Sequence, residues 1–132
     1  MSGPMKWADY GEICRQRGAL AVEVFACVTS PARDGPPPKE LLDAHLAYQK
    51  TLEADGHLFL AGPLSDPEGK VMSGAGLIIY IAENIAAARA LADADPMHIA
   101  GQRSFTMQAW RLNEGAPNFA LRLSDRSVGL GV

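Results

Sequence analysis

Apolar residues recur along the chain in two rhythms, one helical and one alternating or continuous. Near the start, Trp7, Tyr10 and Cys14 recur at spacings of three and four, which predicts a short amphipathic helix closed at Gly18. Leu20 to Val28 is a β-branched apolar run and reads as a strand. The Pro- and Gly-rich stretch from Ser30 to Pro38 is a loop. A helix then starts at Pro38 or Lys39 and runs to about Asp55, with Leu41, His45, Tyr48 and Leu52 on one face and Gly56 as the stop. His57 to Pro63 reads as a second strand, Ser65 to Gly69 as a turn, and Gly76 to Ala82 as the returning strand of a hairpin. Asn84 caps a second helix through Ala92. Asp95-Pro96 ends that segment and starts a short helical turn, and Phe105 to Leu112 is the fourth strand.

The order is β-α-β-β-α-β, the split arrangement of an α+β, ferredoxin-like fold with an antiparallel sheet. Both helices of such a fold cover one sheet face, so a solitary copy should alternate apolar and polar residues along each strand. These strands do not. Val22, Val24 and Ala26 form one apolar set and Phe25 and Cys27 the other, and Leu77, Ile79 and Ile81 stand against Ile78 and Tyr80 in the same way. The second face therefore needs a cover, and a second copy in a two-fold, sheet-to-sheet homodimer is the economical one. The alternative is a leader or tail folded back over it.

A chain of 132 residues is one domain. The expected organisation is a leader over 1–18, an α+β domain over 19–113 and a tail over 114–132. In the tail, Phe119, Leu121 and Leu123 alternate, which suits an edge strand or an arm across a dimer as well as a mobile end. A net charge of −3 with no Lys/Arg cluster argues against nucleic-acid binding. The longest strongly apolar run, Leu77 to Ala82, is too short to span a bilayer, so no membrane role is expected. Polar residues between Trp7 and Glu12 interrupt the place of a secretory apolar core, and Cys14 and Cys27 form no paired motif. A reduced, cytoplasmic setting is the expectation.

Candidate chemistry is sparse. His45 lies on the helix stripe that faces the sheet, where a polar ring needs a hydrogen bond. It is either a satisfied core histidine or a general acid/base in a pocket between helix and sheet. Asp66 is a candidate partner that would fix the His45 tautomer. Equally, Asp66-Pro67-Glu68-Gly69 has the residues of a type I turn, and Asp66 then only builds it. His57 and His98 read as surface histidines. No metal-ligand spacing and no phosphate-binding glycine loop is present, so neither metal nor cofactor is expected.

Three segments carry a resemblance: Asp43-Ala44-His45-Leu46-Ala47-Tyr48, Leu60-Ala61-Gly62-Pro63-Leu64-Ser65-Asp66, and Ala92-Asp93-Ala94-Asp95-Pro96 followed by Ala100-Gly101. In order and spacing the chain resembles the YciI-like family over roughly residues 20–112. The resemblance implies a ferredoxin-like protomer, a dimeric α+β barrel, and a pocket in which a helix histidine pairs with an aspartate, carried over as His45 and Asp66. It also implies cofactor-independent lyase or isomerase chemistry on a small cyclic or aromatic substrate, since one characterised type removes chloride from a chlorinated hydroxyhydroquinone. A non-catalytic ligand-binding or sensor module using the same pocket is the alternative. A haem-binding relative, with His98 as a loose ligand, is a third. The family's Arg-Pro before the Ala-His pair is replaced by Leu42-Asp43, so an arginine for an anionic substrate would come from Arg33, Arg103 or Arg111.

Overall fold

The computed structural model describes residues 3–131. Its elements are α1 (Trp7–Gln16), β1 (Val22–Pro31), α2 (Lys39–Ala54), β2 (Leu58–Ser65), β3 (Met72–Tyr80), α3 (Ile85–Asp93), α4 (Pro96–Ile99), β4 (Arg103–Leu112), β5 (Phe119–Leu121) and β6 (Val128–Leu130). The main sheet has the order β2-β3-β1-β4, the ferredoxin-like order, and β3 runs antiparallel to both β1 and β2. The chain divides into two compact units, one from Glu23 to Trp110 and one made of the two chain ends.

Within the Glu23–Trp110 unit the main core cluster lies on one face of the sheet, and Val24 and Ile79 are buried on the other. Phe25 and Cys27 of β1, Ile78 and Tyr80 of β3 and Met107 of β4 pack with Leu52 of α2 and with Ala88 and Ala92 of α3. Register explains which residues point there. Phe25 pairs with Tyr80 and Cys27 with Ile78, whereas Ala26 with Ile79 and Val28 with Leu77 face the other side. Gly56 in a left-handed conformation (φ 78°) closes α2, with the His57 N–H donating to the Leu52 carbonyl. The Asn84 side chain accepts from the Ala87 N–H at 2.8 Å and starts α3 as its sequence predicts.

The strands of the main sheet run longer than the sequence pattern suggests, β1 and β3 most usefully for the site. β1 continues through Thr29 to Pro31, and β3 begins at Met72 rather than Gly76. Gly76, the expected first residue of the returning strand, lies opposite both Thr29 and Pro63. Gly74 (φ 90°) supplies an irregular step that side chains rarely adopt.

In the other unit, α1 is held by Arg111, whose guanidinium lies 4.5 Å from the Trp7 ring centre and donates to the Trp7 and Ala21 carbonyls. A Cβ at Gly11 would run into that guanidinium and force it to shift. The tail forms a small antiparallel hairpin, Phe119 opposite Leu130 and Leu121 opposite Val128, with Leu123 beyond its strand.

Candidate active site

The central side chain of the site is Asp95, which is fully shielded from solvent. It precedes Pro96, and its Oδ1 accepts from the Met97 N–H at 2.9 Å, capping α4. The same carboxylate faces His45: both oxygens lie 2.9 Å from Nδ1. A carboxylate can only accept, so Nδ1 carries the hydrogen, and in the neutral ring Nε2 holds a lone pair. Nε2 has no partner among the described residues, and the ring lines a cavity of about 900 Å³. The helix histidine is thus oriented by a buried acid on one side and open to a ligand on the other.

This corrects the expected pairing of His45 with Asp66. Asp66 sits on the surface in the β2–β3 turn, where its Oδ1 accepts from the Lys70 N–H at 2.9 Å and the Val71 N–H at 3.4 Å. These backbone bonds, that from Lys70 foremost, hold its carboxyl below the usual aspartate range. Its oxygens are spent on the turn, and the structure brings Asp95 to His45 in its place. In the sequence Asp95 reads as a helix start and as part of a segment that carries the resemblance; its role beside His45 depends on α2 lying against α4.

The cavity is walled by α2, β2 and β3, with Leu42, Leu46 and Leu58 among its apolar lining. Thr29, Met97 and Arg103 also line it. Thr29, buried, joins two of the other groups. Its Oγ1 receives the Arg103 Nε–H at 3.0 Å and stands 2.9 Å from His98 Nε2. His98 Nδ1 is 2.7 Å from the Ala92 carbonyl and must donate to it, so Nε2 accepts the Thr29 hydroxyl hydrogen. A directed chain results, from Arg103 through Thr29 and His98 to Ala92. His98 is therefore no surface histidine, and both its nitrogens are engaged by the protein, which does not fit a role as haem ligand. His57 likewise has a structural bond, its Nδ1 donating to the Ile81 carbonyl at 3.0 Å.

Of the three candidate arginines, only Arg103 lines the cavity. Its Nη2 donates to the Thr29 carbonyl at 2.9 Å and the Gly74 carbonyl at 2.7 Å. Partial burial lowers its pKa from the usual arginine value, and the charge of Asp95 acts in the opposite direction. Cys27 is no nucleophile. Burial, reinforced by the Asp95 charge, pushes its thiol up to about 12. The Tyr48 hydroxyl donates to the Leu91 carbonyl at 2.6 Å, and burial followed by the Asp95 charge raises its pKa. Among the described residues no group of three or more His, Cys, Asp or Glu side chains is placed to hold a metal ion, and no helix is long and apolar enough to cross a membrane.

The family model of the YCII-related domain matches residues 24–110, which span the whole sheet core, His45 and Asp95. The chain belongs to the YCII-related family. Among solved structures, this YCII-related chain is similar to 5-chloro-2-hydroxyhydroquinone dehydrochlorinase (TftG) from Burkholderia phenoliruptrix AC1100, in complex with 2,5-dihydroxybenzoquinone. The two are 23% identical, the match covers 69% of this chain and 95% of that one, and the TM-score is 0.45. No curated protein matches the chain significantly.

Proposed function

We propose that this YCII-related protein is a small lyase or isomerase that moves a proton on a cyclic or aromatic substrate, with His45 as general base and acid and Asp95 as its orienting partner. The observation that carries this reading is the bond from His45 Nδ1 to the buried Asp95 carboxylate, which leaves Nε2 as the basic nitrogen in the cavity. In the forward step Nε2 takes a proton from a ring hydroxyl or ring carbon, and the released electron pair moves into the ring. As an isomerase it returns the proton from Nε2 to another ring carbon; as a lyase it returns it to the halogen-bearing carbon, and removal of a second ring hydroxyl proton then expels halide from that tetrahedral carbon with its bonding pair. A positioned base of this kind supplies roughly 10²–10⁴-fold of rate, and the Asp95 carboxylate stabilises the imidazolium that forms. The apolar walls and the size of the cavity suit a ring compound.

The same reading includes a homodimer closed sheet to sheet. On the face turned away from the main core cluster, Val24 and Ile79 are already buried, but Trp110 is exposed and Ala26, Val28 and Leu77 are half-buried, and this remaining apolar surface supports a second copy as cover. Light scattering should give twice the chain mass for the wild type and the chain mass for Val28→Glu.

The test of the activity is a panel of chlorinated hydroquinones, cyclic hydroxyketones and lactones in D₂O, followed by NMR for deuterium uptake and by halide release. Turnover by the wild type that drops by about two orders of magnitude or more in His45→Gln supports the proposal. Compounds that bind without exchange or release, or that turn over equally in His45→Gln, would instead make this a ligand-binding module.

A further inference from the structure

Arg103 brings a positive charge to the cavity wall, and among the described residues it makes no ion pair. Its guanidinium has five N–H groups. The Nε hydrogen goes to Thr29 Oγ1, and the two on Nη2 go to the Thr29 and Gly74 carbonyls. Every one of these acceptors is neutral. The charge is therefore held by neutral acceptors with no carboxylate in contact, in a place where burial disfavours it and only the more distant Asp95 acts in its favour. The two hydrogens on Nη1 have no protein partner among the described residues.

We infer that Arg103 Nη1 is the anchor for an oxyanion on the ligand, and that the cavity selects small ring compounds carrying one ionised oxygen. The pattern of used donors fixes the kind of recognition. A fork-to-fork contact with a carboxylate needs two nitrogens with free hydrogens, and both Nε and Nη2 are committed. Only Nη1 remains, so the ligand is met through one oxygen, and a phenolate serves as well as a carboxylate. Thr29 and His98 position the guanidinium: the His98 Nδ1–H on the Ala92 carbonyl sets the tautomer, which orients the Thr29 hydroxyl to accept from Nε. Lys50 and Glu53 also line the cavity but are exposed and opposite in sign, so neither sets its charge preference. This inference rests on the proposed function only in taking the same cavity as the ligand's place.

Calorimetric titration with matched probes tests it: benzoate against benzamide, and 4-nitrophenolate against 4-nitroanisole, at a pH where both acids are ionised. The anions should bind the wild type on the order of ten- to a hundredfold more tightly than their neutral counterparts, as a charge-assisted hydrogen bond provides. Arg103→Met should erase the preference and Arg103→Lys keep part of it, while Lys50→Met and His45→Gln leave it in place. Survival of the preference in His45→Gln separates this inference from the proton-transfer reading, which that variant abolishes. Arg103→Met loses three structural bonds, so the Arg103→Lys titration and the wild-type side-chain NMR signal of Arg103, expected to shift with benzoate, stand independently of its folding. Equal affinities for anion and neutral probe, no saturable binding of either anion, or a preference that persists in Arg103→Met would overturn the inference.

Discussion

Replacing Asp95 by asparagine probes both roles of the carboxylate. The amide oxygen can keep its bond to the Met97 N–H, 2.9 Å away in the acid, so the cap of α4 survives. The amide NH₂ then occupies the Oδ2 position, 2.9 Å from a His45 Nδ1 that also carries a hydrogen. The amide oxygen, also 2.9 Å from Nδ1, can still accept that hydrogen, but the NH₂ at the same distance then opposes it donor to donor. The ring responds by moving its hydrogen to Nε2, so that Nδ1 accepts from the amide and the basic lone pair leaves the cavity. One charge-assisted bond becomes a neutral one, a loss of about 1 kcal/mol. Asp95→Ala removes the His45 bond and the helix cap together, and costs about 2–4 kcal/mol. Catalysis follows the tautomer rather than the stability, and falls by roughly 10²–10⁴ in the asparagine variant. Urea unfolding measures the first quantity, and long-range ¹H–¹⁵N spectra of the imidazole nitrogens report the tautomer without any substrate. A His45 ring that keeps its hydrogen on Nδ1 in Asp95→Asn, or an alanine variant as stable as the wild type, would refute this reasoning.

Other substitutions separate the remaining groups. Asp66→Ala should leave the His45 tautomer and turnover unchanged while loosening the β2–β3 turn. Because the Asp66 pKa is depressed in the fold, its contribution is present above the ordinary value of 3.8 and is lost as acid titration crosses the lowered one. Unfolding measured from neutral to acid pH should therefore show the two proteins converging. Thr29→Val strands the Arg103 Nε–H and His98 Nε2 inside the protein, and should cost about 1–3 kcal/mol by chemical denaturation. For Cys27 the native pKa is raised, so the thiol's effect on stability is constant below the ordinary value of 9.0 and turns unfavourable to folding between there and about 12. Relative to Cys27→Ala, the wild type should lose stability over that alkaline range, and alkylation at neutral pH should label Cys27 only after unfolding.

Much of the fold was legible because local and global signals agree. The helical stripe of Leu41, His45, Tyr48 and Leu52, the Gly56 stop, the Asn84 cap and the Asp95-Pro96 start all specify elements that the structure contains, each within a few residues. The start of β3 at Met72 rather than Gly76 was not legible, because composition records the freedom of Gly74 but not the pairing partners that use it. The site was half legible. An isolated histidine on an apolar face signalled an unmet polar requirement, but which acid met it was a matter of tertiary placement. Asp66 and Asp95 each stand before a proline and each suits a turn or a cap. Only the approach of α2 to α4 distinguishes them, putting one carboxylate at His45 and leaving the other on the surface. The chain from Arg103 through Thr29 to His98 was invisible for the same reason, since 74 and 69 residues separate its hydrogen-bonded pairs.

The most direct test of the central claim is the rate of solvent deuterium incorporation into a turned-over ring substrate, compared between the wild type and His45→Gln with equal folded fractions. Proton transfer through Nε2 predicts exchange by the wild type and a rate lower by about 10²-fold or more in the variant. Equal rates in the two proteins would show that His45 moves no proton, and would reduce the His45–Asp95 pair to a structural bond between α2 and α4.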